Sequence, residues 1–157
     1  MSAMRKIWIA APLAAVFFTA CSSAPPPPPF KAVADNKLLM QSVIDPSADI
    51  VWDAVKTIIT KDKTEEIRPK NNEEWIAVRN AAVALTESGN LLMMVPRAKD
   101  GGEWMKRSQE LITTGEAAIR AIDAKNADQL FTVGGDIYEA CSSCHRQYME
   151  AIVNANK

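Results

Sequence analysis

Tyr138–Glu150 reads YEACSSCHRQYME, and the interpretation of these residues decides what kind of fold the chain needs. Cys141 and Cys144 stand three positions apart, and His145, the only histidine among 157 residues, follows at once. Residues three and four apart share a face of a helix. Cys141, His145 and Tyr148 therefore continue a stripe that begins upstream with Leu130, Phe131, Ile137 and Tyr138 and runs on to Ile152. Asn126 or Asp128 supplies the polar start of this helix, while Gly134 and Gly135 within it mark either a close approach or a break.

Three chemistries compete for such a motif. A thioredoxin-like dithiol needs a strand leading into a helix, and here the cysteines sit well inside a helical segment. A structural zinc site needs about four ligands, but the chain has no other histidine and only one further cysteine, Cys21. C-x-x-C-H is the signature of covalent c-type haem attachment: Cys141 and Cys144 add to the vinyl groups, and His145 is carried under the iron as its proximal ligand. Against a chance match stands the single histidine, which falls on the critical position.

Working outward, the 3.6-residue period recurs and no alternating strand pattern of any length is found. Asn36–Ile44 is one helical piece, stopped by Asp45-Pro46; Asp45 then caps a new start with Pro46 at its first position. Residues 46–60 place Ala48, Val51, Trp52, Val55 and Ile58/Ile59 on one face, and 61–71 is a charged loop. Asn72 caps a helix over 73–88 that Gly89 ends as its C′ residue. Residues 90–102 connect to a helix over 103–122 with Trp104, Ser108, Leu111, Gly115 and Ile119/Ile122 in phase. Four amphipathic helices with short connections predict an all-α fold, an antiparallel four-helix bundle with haem on its C-terminal helix. Trp52, Trp75 and Trp104 fall on apolar faces as large core residues rather than a redox relay.

The first 34 residues are of another kind. Arg5 and Lys6 precede the apolar run Ile7–Phe18, which is short of the roughly 20 residues a membrane span needs. Thr19 and Ala20 then lead to Cys21, so residues 1–20 read as a secretory signal peptide. Cysteine at the cleavage point makes the segment resemble a bacterial lipoprotein signal, with Phe18 where leucine is usual. The resemblance implies a lipidated Cys21 and, from Ser22, direction to the outer membrane of a Gram-negative cell rather than the inner. Residues 21–34 include five consecutive prolines, which favour an extended polyproline rod of about 3.1 Å per residue, a stiff spacer off a membrane. The domain proper is then 35–157. Without Arg5 and Lys6 the chain has 16 basic against 19 acidic side chains, a slightly acidic balance that suggests no nucleic-acid partner.

A C-x-x-C-H near the C-terminus of a helical domain, continued to Tyr148, resembles the class II c-type cytochromes, the cytochrome c-prime family, whose motif is C-x-x-C-H-x-x-[FY] on the last helix. Cys141, Cys144, His145 and Tyr148 match it position by position. The resemblance implies one covalent haem c with its iron, Tyr148 packed at the proximal haem edge, and often a homodimer. In that family the distal residue comes from the first helix, where Met40 is the only methionine; Met93, Met94 and Met105 sit around later helices. Where the family commonly has an arginine four positions before the distal residue, against a haem propionate, this chain has Asn36, with Lys37 beside it. Arg146 is a further candidate for such a contact.

Met40 on the iron implies a six-coordinate carrier of single electrons, not an enzyme, serving periplasmic redox partner proteins while held to the membrane by its lipid anchor. Met40 as core packing instead implies a five-coordinate iron that binds or senses NO or CO. A peroxidase-like enzyme lacks a distal histidine to act on the O–O bond. A structural lipoprotein without haem follows only if the motif is accidental. The N-terminal reading is checked by mass spectrometry of the mature N-terminus: Cys21→Ser is expected to abolish a lipid-modified first residue that the unsubstituted chain carries, and an unmodified chain beginning elsewhere removes the tether.

Overall fold

The computed structural model describes residues 30–155, with side chains through Met149; the signal segment, Cys21 and the prolines up to Pro29 lie outside the described residues, as does the Ile152 side chain. The protein is mostly helical. Helix α1 (Asn36–Leu39) passes through a π-helical turn (Met40–Ile44) into α2 (Asp45–Ala54), followed by strands β1 (Lys56–Ile59) and β2 (Thr64–Ile67), then α3 (Asn72–Met93), α4 (Glu103–Asp123) and α5 (Ala127–Ala155). α3 packs along α4, α4 along α5, and α2 against α3 and, less extensively, α5. Each of these four helices supplies fully buried residues: Val51 from α2, Ala82 and Leu85 from α3, Ala118 and Ala121 from α4, Leu130 and Ile137 from α5. No helix among the described residues is long and apolar enough to cross a membrane.

Side chains fix where the helices begin. Asp35 accepts the N–H of Leu38 at 2.8 Å. The cap of α3 is Asn71 rather than Asn72: its Oδ1 accepts the Glu74 N–H, and the Glu74 carboxylate accepts the Lys70 N–H, a reciprocal arrangement of the capping-box kind. Asn126, not Asp128, caps α5 through the Gln129 N–H. Arg97, buried in the α3–α4 connection, donates to the carbonyls of Ala34 and Leu91, while its own carbonyl accepts Asn36 Nδ2. That exchange ties the start of α1 to the end of α3.

Several sequence expectations are corrected. Asp45 opens α2 where expected but caps no break: its φ and ψ of −58° and −50° are helical, and its N–H reaches back to the Met40 carbonyl, so the helix runs on through it. Pro46 has no N–H and its ring would crowd the carbonyl four residues earlier; widening the turn to i→i+5 lets the helix run past it. The helix ends at Ala54 and does not reach residue 60. Lys56–Ile59 instead pairs antiparallel with Thr64–Ile67, Lys56 opposite Ile67 and Ile59 opposite Thr64. The run Thr57-Ile58-Ile59-Thr60 is β-branched throughout, which favours strand over helix. Ile58 and Ile59 accordingly stand exposed rather than on a core face. Phe131 and Tyr138 are also exposed, so part of the stripe drawn on α5 faces outward.

Three glycines take roles that spacing alone does not fix. α3 runs through Gly89 to Met93. A Cβ at Gly89 would lie 2.8 Å from the Ser108 carbonyl of α4 and 2.5 Å from Ile112 Cγ1, so the residue permits close helix contact instead of ending a helix. α5 is unbroken at Gly134 and Gly135. Gly134 is a close approach: its carbonyl accepts Trp52 Nε1 at 2.9 Å, and a Cβ there would stand 3.2 Å from Trp52 Cδ1. Gly135 has nothing within 4 Å of such a Cβ. Alanine in a helix interior is favoured over glycine by about 1 kcal/mol, whereas forcing a methyl into a packed contact costs about 1–3 kcal/mol. Gly135→Ala should therefore raise the urea midpoint and Gly89→Ala lower it, with unchanged m-values.

Candidate functional site

The motif lies in the second half of α5, more than three turns beyond its first residue, with Cys141 and Cys144 as half-buried free thiols. They face a cavity of ≈ 350 Å³ between α2, α4 and α5, whose walls include Ile44, Ala48, Trp52, Leu111 and Tyr138. A wider cavity of ≈ 670 Å³ is lined by the start of α1, the α3–α4 connection and the end of α5. Met40, Asp45, Cys144 and His145 line both. The structure thus brings Met40 to the same space as Cys141, Cys144 and His145, from an element distant in sequence. Met93, Met94 and Met105 line neither cavity; Met149 lines the wider one but shares α5 with His145. Among the described residues, Met40 is consequently the one lining methionine that approaches from another helix.

The polar groups are few and specific. Lys37 and Lys99 line the wider cavity, as does Asn36, whose Oδ1 is buried with no hydrogen-bond partner. Arg107 lines the narrower one. Its Nη1 donates to Glu110 at 2.8 Å and its Nη2 lies 3.4 Å from Glu103, but its Nε is buried without a partner. Arg146, the sequence candidate for an anion contact, is exposed and lines neither cavity. Trp104 is buried and donates from Nε1 to the Leu92 carbonyl. Tyr148 stands edge-on to it at 4.9 Å between ring centroids and donates its hydroxyl to Asp100.

Burial, reinforced by the charge of Asp45 and by Cys144, pushes the Cys141 thiol up to about 11. Burial raises Cys144 as well, with the Arg107 guanidinium partly offsetting it. Reactive C-x-x-C dithiols have lowered thiol pKa values and often sit at helix N-termini; this pair has neither property. Among the described residues no group of three or more His, Cys, Asp or Glu side chains converges on a metal-sized site, so the thiols and imidazole have no such partners to complete a tetrahedral zinc centre. What the site offers is two neutral thiols, an imidazole and a thioether on mainly apolar walls. No model of a known protein family, no characterised protein and no solved structure matches the chain.

Sequence reasoning missed Arg107 and Lys99 as cavity-lining residues and Asp100 as the acceptor of the Tyr148 hydroxyl. The first two carry no distinguishing signal, since a helical arginine between Glu103 and Glu110 and a lysine in a polar connection both read as solvated. Asp100 precedes Gly101-Gly102 and an apolar helical start, a capping signal that was there to be used. The raised thiol values give a pH prediction for protein made without haem. Below pH 9 both folded and unfolded chains keep Cys141 protonated. Between pH 9 and about 11 only the unfolded chain ionises it, so folding stability should fall with rising pH by about 2–3 kcal/mol. Urea titrations of the wild type and Cys141→Ala check this, the variant showing the smaller loss over that interval.

Proposed function

We propose that this protein is a class II c-type cytochrome, an antiparallel four-helix bundle that carries single electrons through one covalently bound haem. The observation that carries the reading is the convergence of Cys141, Cys144, His145 and Met40 on one mainly apolar space. The donor set suits haem c. The two thiols would supply the thioether links, and an imidazole and a thioether from different helices would supply the iron's remaining ligands. The unpartnered Arg107 Nε is a buried donor on the same wall, and Lys37 and Lys99 are cations suited to the haem's carboxylates. When bound, the haem supplies exchange between Fe(III) and Fe(II).

The chain's own residues do the rest. Cys141 and Cys144 hold the group permanently, so no binding equilibrium competes with electron transfer. His145 and Met40 would hold the iron from different helices, and the thioether would favour Fe(II) and raise the potential. Ile44, Ala48, Leu111 and Trp52 give the attachment side apolar walls. Export, cleavage before Cys21, lipidation there and a proline spacer would place the domain in the periplasm at the outer membrane of a Gram-negative cell, where its partners are other redox proteins. All of this N-terminal part rests on the sequence of residues 1–34.

The test begins with expression under c-type maturation. The protein should keep haem through denaturing electrophoresis, and Cys141→Ala with Cys144→Ala should release it; a wild type that never retains haem ends this reading. Ferric protein should be low-spin with a weak near-infrared sulfur-to-iron band. Met40→Ala should make it high-spin, lower its potential and open it to CO, because loss of the thioether both favours Fe(III) and frees a coordination position. A wild type that is already high-spin and binds CO readily transfers the assignment to gas binding, with Met40 as packing.

A further inference from the structure

Asp100 stands in the connection before α4 and belongs to none of the roles assigned above. Its Oδ1 accepts the N–H groups of Gly102 and Trp104 at 2.8 and 3.0 Å, which seats the carboxylate at the N-terminus of α4, where the helix dipole favours an anion. Its Oδ2 accepts the Tyr148 hydroxyl at 2.5 Å, a short bond of the charge-assisted kind. The Tyr148 ring meets Trp104 edge-on, with 79° between the planes, a favoured aromatic geometry. Trp104 is in turn anchored on the Leu92 carbonyl at 2.8 Å. A continuous set of contacts therefore runs from the end of α3, through the start of α4, to the motif-bearing part of α5.

Tyr148 lies one helical turn after His145 on the same face. Among the described residues, its bond to Asp100 is the only side-chain hydrogen bond from Tyr138–Met149 to another element. Asp100 is lowered from the usual carboxylate value by the Tyr148 hydroxyl and then by the two N–H groups. Tyr148 is pushed up to about 12 by burial and then by Asp100. Both directions are those of a hydroxyl committed to a carboxylate acceptor.

Resting on the haem reading, we propose that Asp100 is a positioning residue for the haem: by holding Tyr148 against Trp104 it fixes the turn of α5 that follows His145, and so the direction in which the imidazole is presented. Without the tie, the turn of α5 that carries Tyr148 loses its side-chain hydrogen bond to the α3–α4 connection, and the imidazole can settle in more than one orientation.

The experiment uses full-length, haem-loaded protein and two variants. Tyr148→Phe removes the hydroxyl and keeps the ring on Trp104, leaving the α4 cap intact. Asp100→Asn keeps a capping side chain but replaces the anionic acceptor. Electron paramagnetic resonance of the ferric protein reads ligand orientation at the iron in either spin state, and a redox titration reads the midpoint. Both variants are expected to keep wild-type haem content, to show broadened or multiple g-values where the wild type shows one set, and to shift the midpoint. Unchanged g-values and midpoint in Tyr148→Phe overturn the proposal, reducing Asp100 to a helix cap, even if the urea midpoint falls. This variant decides alone should Asp100→Asn fail to accumulate. A wild type without haem overturns this proposal together with the reading beneath it; haem retained with unchanged spectra overturns the positioning role only.

Discussion

Everything in this molecule depends on one helix serving two purposes along its length. The first half of α5 buries Leu130, Val133 and Ile137 in the common core, while the second half leaves Cys141, Cys144 and His145 on the wall of a cavity. Core side chains ordinarily close such spaces, since interiors pack like crystals. Here the helix facing the cavity is kept at a distance by bulk at its margin. Trp52 sits at the changeover, with its Nε1 on the Gly134 carbonyl and its ring close above that glycine. A Cβ at position 134 would crowd the Trp52 ring, so the glycine lets α2 and α5 approach closely there. The contact thus sets the separation of the two helices just before the first cysteine.

The partner constraint is Pro46. Core positions along the first helical run are Leu39, Ile44, Ala48 and Val51, a step of five across the π-helical turn and then steps of four and three. An ordinary helix advances about 100° per residue, so the extra residue rotates all that precedes it relative to α2. Met40 opens the widened turn and lines both cavities in company with Ile44 and Ala48. Had the chain broken at Asp45, as a capped start implies, the orientation of Met40 would have been free of α2. Proline in mid-helix, unfavourable by itself, fixes the phase of the residue proposed to face the imidazole.

How much of this was legible can be judged element by element. α3, α4 and α5 carry strong 3.6-residue patterns because each buries a wide face, and the sequence located them to within a few residues. The hairpin over 56–67 was missed for a physical reason: its first strand is exposed along its whole length, so no apolar alternation exists to find, and only the β-branched run gives it away. Gly89 looked like a helix end because glycine punctuation and glycine at a helix crossing are identical in one dimension. That Cys141, Cys144 and His145 stand together on α5 was legible because residues three and four apart share a helix face. Arg107 was not, because an unpartnered Nε is a property of packing that no spacing encodes.

Under the proposed reading, opposing influences meet beside Met40. The thioether and the apolar walls favour the less charged Fe(II) state. The Asp45 carboxylate, which lines both cavities, favours Fe(III) by simple attraction. Their weights differ with exposure. Asp45 is exposed, so water and salt screen it toward the small energies typical of surface charge pairs. A direct sulfur ligand acts through the bond itself and is not screened. Ligation by Met40 therefore outweighs Asp45, and the domain should work as an oxidising carrier whose potential depends on whether that sulfur is bound.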